Sequence, residues 1–122
     1  SDNISCLNNY AYYLSEKNLN LTKAEEMSYR TVKAEPDNAT YLDTYAWILY
    51  QQKRYAEAKI YIDQAVKNDT DTVHVTPVVI DHAGEIYMKL GDPDCAVSFW
   101  QLAISRGGDK ALFERKIKKA KK

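Results

Sequence analysis

One group of residues returns along this 122-residue chain at a nearly constant interval, and that recurrence limits the folds open to it. Leu42, Tyr45, Leu49, Ala58, Ile62 and Ala65 align with Ile80, Ala83, Tyr87, Ala96, Trp100 and Ala103, each pair 38 residues apart. Upstream, Leu7, Tyr10, Ala11 and Leu14 precede Leu42, Tyr45, Ala46 and Leu49 by 35, and Ala24 precedes Ala58 by 34. The unequal intervals place the extra residues in turns, around Leu19-Asn20 and between Asp69 and Thr76. A period of this length marks like units stacked in a row, each too small to bury its apolar face alone.

Inside each unit the spacing is helical. Leu42, Tyr45, Ala46 and Leu49 follow the i, i+3, i+4, i+7 pattern, and Ala58, Ile62, Ala65 and Val66 resume it after a short break. Small residues at Ala11, Ala46 and Gly84, and at Ala58 and Ala96 opposite them, let paired helices approach closely. Tyr10, Tyr45, Tyr55 and Tyr87 are expected to pack in the space between. Thr22 with Glu25 reads as a capping box. Asp92 before Pro93 suits a helix start, Asp109 a cap for the last helix, and Gly91 and Gly107-Gly108 suit helix ends. Seven helices follow, near 4–17, 22–35, 39–52, 55–68, 76–89, 93–106 and 110–120. Period-two alternation is confined to Val73-His74-Val75, which reads equally as a loop sinking apolar residues into the stack.

These units resemble the tetratricopeptide family, whose 34-residue signature runs Trp-x2-Leu-Gly-x2-Tyr, then Ala-x3-Phe, then Ala and Pro. Leu42, Tyr45, Ala46, Leu49, Ala58, Ile62 and Ala65 match one unit; Ile80, Ala83, Gly84, Tyr87, Ala96, Trp100 and Ala103 match another. Leu7, Tyr10, Ala11, Leu14, Ala24 and Pro36 make a looser first unit, departing at Ser28 and Thr31. The resemblance implies an all-α, right-handed α-α superhelix of three helix pairs in a single domain. The repeats would span about 4–38, 39–72 and 76–108, with a capping helix at 110–120. Tyr41 to Trp47 and Lys89 to Asp92 also look like the C-terminal end of longer bacterial members.

Charge and composition restrict function. Seventeen Lys and Arg balance 17 Asp and Glu, which argues against a general nucleic-acid binder. The balance hides a split: residues 110–122 carry net +6 and the remaining 109 carry −6, so a basic last helix can be held on an acidic body. No apolar run reaches the ~20 residues of a membrane span, and four Gly are too few for a phosphate-cradling loop. The chain begins Ser1-Asp2-Asn3 without Met, as a segment of a longer protein would, and both cytoplasm and export fit such a segment. Four Asn-x-Ser/Thr triplets, at Asn3, Asn20, Asn38 and Asn68, read mainly as turn and cap chemistry.

The polar inventory points away from an enzyme. His74 and His82 lack HxxxH or HExxH spacing, and Cys6 and Cys95 read as two buried free thiols rather than a redox or metal pair. His82 reads as a surface histidine or one satisfied by a carboxylate. No catalytic residue, metal or cofactor is expected. The resemblance instead implies a binding surface on the concave side of the first helix of each unit. That stripe would carry Asn8 and Tyr12, then Asp43, Trp47 and Tyr50, then Asp81, Glu85 and Met88. Aromatic groups give large contact area at small entropy cost, so Trp47 and Tyr50 are the expected anchors of a peptide or protein partner. The acidic neighbours favour a neutral or basic one. The Lys/Arg/Asn clamp for acidic tails found in some relatives is missing, with Asn8, Tyr12, Thr44, Val78 and His82 at the corresponding positions. The alternative is a structural segment of a longer array with no ligand of its own, self-associating or packing on upstream repeats around Ile4 and Leu7.

Overall fold

The computed structural model describes residues 3–68 and 76–122. Val73-His74-Val75, the 69–75 part of the second inter-repeat turn and the end of the Asn68 triplet lie outside them. The described residues form seven helices: α1 (Ile4–Glu16), α2 (Leu21–Ala34), α3 (Ala39–Gln51), α4 (Tyr55–Asn68), α5 (Pro77–Lys89), α6 (Pro93–Ser105) and α7 (Lys110–Ala120). The expected bounds hold to within one residue. Each helix packs on its successor, most extensively as the antiparallel pairs α1–α2, α3–α4 and α5–α6. The odd-numbered helices also touch along their own row, α1 on α3 and α3 on α5, while no comparable contact joins the even-numbered ones among the described residues. A stack closed on one row and open on the other curves, so α1, α3 and α5 line its inner face.

The turn inside each repeat is built the same way. Asn18, Lys53 and Gly91 have φ of 53°, 64° and 80°. One residue later a backbone N–H reaches back over the helix end: Leu19 to Leu14, Arg54 to Leu49 and Asp92 to Tyr87, all within 3.0 Å. These left-handed closures satisfy open carbonyls, and they sit 35 and 38 residues apart, the interval of the apolar repeat itself. Asn20, Asn38, Thr76, Asp92 and Asp109 cap the helices that follow them through side-chain oxygens. The expected Thr22–Glu25 box does not form. Asn20 caps α2 instead, and Glu25 is turned to the outer row, where Gln52 and Arg54 both donate to its Oε1 at 3.1 and 2.8 Å.

The small-residue positions are the closest packed. Ala11, Ala24, Ala46, Ala58, Ala83 and Ala96 are fully buried. Gly84 lies under the Trp100 ring, so close that a Cβ there would stand 2.5 Å from Trp100 Nε1. Leu42, Tyr45, Leu49, Ile62, Val79 and Ile86 join α3, α4 and α5 in one central core. Two expectations fail. Tyr10 is 47% exposed and stacks on Tyr13 outside the core, because on α1 the buried face runs through Asn8, Ala11, Leu14 and Ser15. Cys6 and Cys95 are both exposed free thiols, each lying off the face its helix buries.

The closing helix covers the last pair. Phe113 is buried against Ile80, Ala96, Trp100 and Ala103, with Leu112, Ile117 and Ala120 half-buried beside it. Ala111 is exposed. Lys116 turns in and bonds Asp81 and Glu85 on α5.

Candidate functional site

Along the inner face, α1, α3 and α5 bring all eight stripe residues onto one surface. Asn8 and Asp43 are buried; Tyr12, Trp47, Tyr50, Asp81, Glu85 and Met88 are half-buried. The centre is a ring stack. The indole of Trp47 lies 3.8 Å from the His82 imidazole at 12° and 4.3 Å from the Tyr50 ring at 6°. Two near-parallel rings at those distances cannot share one face of the indole, so Trp47 is sandwiched between α3 and α5 side chains. Tyr12 meets the far side of the cluster, 6.4 Å from His82. The Trp47 Nε1–H donates to Glu16 Oε2 at 3.0 Å, which ties α1 to the stack.

His82 is held as firmly as the indole. It is buried, not on the surface, and its Nδ1 lies 2.8 Å from Asp43 Oδ1. An ionised carboxylate only accepts, so Nδ1 carries the hydrogen. The satisfying carboxylate comes from the neighbouring repeat, not from the adjacent Asp81. Asp81 instead accepts from Trp100 Nε1 at 2.9 Å and, with Glu85, receives the Lys116 ammonium at 2.8 and 2.7 Å.

The face is therefore polarised along its length. At the α5–α7 end, Lys116 compensates two of the stripe's three carboxylates. Burial pulls the Lys116 pKa down, but its hydrogen bonds to Asp81 and Glu85 outweigh that and hold it above the usual lysine value. At the α1–α3 end Asp43 and Glu16 face the groove with no lysine or arginine bonded to them among the described residues. Tyr12 registers this environment, its pKa pushed to about 12 by burial first and then by Glu16, Asp43 and Asp81. Tyr50 is likewise raised to about 12, by burial and then by Glu85, Tyr55 and Asp81.

Two hollows flank the ring stack. One of about 350 Å³ is lined by Asn8, Tyr12, Thr40, Asp43, Thr44 and Val78 among others. The other, about 380 Å³, lies between Glu85, Met88, Trp100 and Lys116. Among the described residues no group of three or more His, Cys, Asp or Glu side chains is placed to hold a metal ion. Glu16 and Lys116 are the site residues that the repeat pattern did not reveal. Glu16 closes the stripe's own helix, while Lys116 becomes visible only once α7 is folded back onto α5.

No family model matches the sequence. A TPR repeat-containing protein of Pseudomonas aeruginosa is 33% identical over 70 residues, 57% of this chain, and the chain spans 12% of that protein's length. The first TPR domain of human RPAP3 superposes with a TM-score of 0.83 at 13% identity, covering 97% of this chain and 89% of that one. YrrB, described as a TPR protein with an unusual peptide-binding site, gives 0.69 at 21% identity, covering 83% and 50%. The structural likeness bears out the paired-helix architecture expected from the sequence, and the chain has the fold of tetratricopeptide-repeat proteins.

Proposed function

We propose that the chain is a protein-interaction module that binds a peptide or protein segment along the face of α1, α3 and α5. The observation that carries this is the continuous row Tyr12–His82–Trp47–Tyr50, stacked and hydrogen-bonded into place yet left half-open at Tyr12, Trp47 and Tyr50. Rings already held in one geometry lose little entropy on binding, the condition under which aromatic contacts give most affinity. Trp47 and Tyr50 are the central anchors, with Tyr12 and Met88 at the flanks. Stacked repeats supply extended surfaces of this kind, and YrrB is a protein of the same fold described by its peptide-binding site. The partner is neutral or basic, since the uncompensated charge of the face is negative.

The test is retention of partners from a source-cell extract by the wild-type chain, Tyr50→Ala and Tyr12→Ala, with Tyr29→Ala on the outer row as control. Selective loss with the two inner-face variants supports the assignment; equal retention by all four refutes it. Trp47→Ala is the weaker probe because the indole also joins three helices.

A second reading rests on a different observation. Tyr10, Tyr13 and Leu19 are 47%, 51% and 52% exposed on the first repeat. Ile4 and Leu7, expected to be the sticky edge, are half-buried. In that reading the tyrosine patch packs on another protein part, and Tyr13→Glu, not Tyr50→Ala, abolishes association.

A further inference from the structure

Asn8 stands apart from the rest of the stripe. It is 4% exposed, it lines the 350 Å³ hollow, and its Oδ1 is fully buried with no hydrogen-bond partner among the described residues. An unpaired buried acceptor is costly, so folding leaves this atom in want of a donor. Of the other polar groups on this hollow, Asp43 and Thr44 share that bias, while the Asn9 amide and the Thr40 and Thr76 hydroxyls can donate or accept. Asp43 is an acceptor whose Oδ1 takes one hydrogen bond from His82. The Thr44 hydroxyl donates to the Thr40 carbonyl at 3.1 Å, which leaves its lone pairs free to accept. Tyr12 and Val78 supply apolar wall, and among the described residues no lysine or arginine lines the hollow.

We propose that this hollow is the specificity subsite for a lysine or arginine side chain of the bound peptide. This rests on the peptide-binding reading of the inner face and deepens it. The cation's aliphatic stem lies along Tyr12 and Val78, and its N–H groups donate to Asn8 Oδ1, the Asp43 carboxylate and the Thr44 hydroxyl. An ammonium or guanidinium has donors only, three and five respectively, matching the acceptors that Asn8, Asp43 and Thr44 offer. The other end of the face does not compete for that cation, because Asp81 and Glu85 already hold Lys116. The basic preference of the partner is thereby assigned to one position in its sequence rather than spread along the groove.

The test pans a random 12-residue peptide display library on the chain. Selected peptides are then resynthesised with each lysine replaced by norleucine and each arginine by citrulline. Binding is measured by titration to the wild-type chain, Asn8→Leu, Asn8→Asp and Tyr50→Ala, each checked for its helical spectrum. The expected result is a basic residue at one fixed position, at least tenfold weaker binding on replacing it or on Asn8→Leu, and binding to Asn8→Asp within threefold of wild type or tighter. A merely structural role for Asn8 predicts that both Asn8 variants weaken binding alike, which overturns the proposal. Peptides lost with Tyr50→Ala but indifferent to norleucine, citrulline and Asn8→Leu overturn the subsite and leave the inner-face reading standing. A library yielding no binder counts against both.

Discussion

At the scale of single residues, the small positions of the repeat matter as much as the large ones. Gly84→Ala would ordinarily favour a helix by about 1 kcal/mol. Here its Cβ meets the buried Trp100 ring at 2.5 Å, and that ring is fixed by its bond to Asp81. Overpacking of about 1–3 kcal/mol wins, so the variant should melt earlier by calorimetry. Ser28 behaves oppositely. It is fully buried and its hydroxyl has no partner among the described residues, while Thr31 beside it donates to the Ser28 carbonyl at 2.7 Å. Ser28→Ala removes an unsatisfied group at nearly constant volume and should stabilise by about 1 kcal/mol, read as a higher urea midpoint with unchanged m. The sequence marked Ser28 and Thr31 as departures from the repeat, and both occupy the interior positions that the pattern assigns them. It misplaced Tyr10 because periodicity aligned it with Tyr45, while on α1 the polar Asn8 and Ser15 take part of the buried face. His82 could be narrowed only to surface or paired, since its partner Asp43 lies 39 residues away and no local spacing encodes that contact.

At the scale of helices, boundaries were legible because caps and left-handed closures are local chemistry, whereas the docking of α7 is not. Its charge and apolar residues announced a basic closing helix; that one lysine would turn inward depended on the position of α5. Lys116→Gln should destabilise by about 1–2 kcal/mol, between the values for exposed and buried pairs, and should loosen α7 before the rest. The pH dependence has a definite sign. The folded pKa of Lys116 is raised above the ~10.4 of an unfolded lysine. The contact therefore contributes fully below pH ~10 and fades as pH rises through the folded value. Tyr12, Tyr45, Tyr50 and Tyr87, each raised from 10.0 to about 12 mainly by burial, act in the same direction. Their unfolded forms ionise first, so stability should fall between pH 10 and 12. Thermal melts of wild type and Lys116→Gln should differ at pH 8 and converge toward pH 12; a gap that stays constant would mean the ion pair contributes nothing.

At the scale of the whole molecule, contacts run mainly between neighbours, so stability is close to a sum of repeat and interface contributions rather than one cooperative block. The three repeats differ in what fills them. The middle is the richest, with Leu42, Tyr45, Leu49, Ile62, Val79 and Ile86 joining α3, α4 and α5. The last pair has Trp100 covered by Phe113 of the closing helix. The first pair shares its core of Ala11, Leu14, Ala24 and Met27 with Ile48 of α3 and buries Asn8, Ser15, Ser28 and Thr31 in the same layers. Hydroxyls folded onto their own helix, as Ser15 on the Tyr12 carbonyl and Thr31 on that of Ser28, satisfy themselves but add little apolar burial. The first pair should then open at the lowest free energy, and hydrogen exchange followed by mass spectrometry should show α1 and α2 losing protection first and α3–α5 last. The order bears on binding, since Tyr12 and Asn8 ride on α1 while Trp47 and Tyr50 ride on α3. A peptide spanning both should slow exchange most in α1 and α2, because it couples the loosest pair to the tightest. If α1 and α2 already exchange as slowly as α3 in the free chain, the repeats unfold as one unit and the polar interior of the first carries no energetic cost.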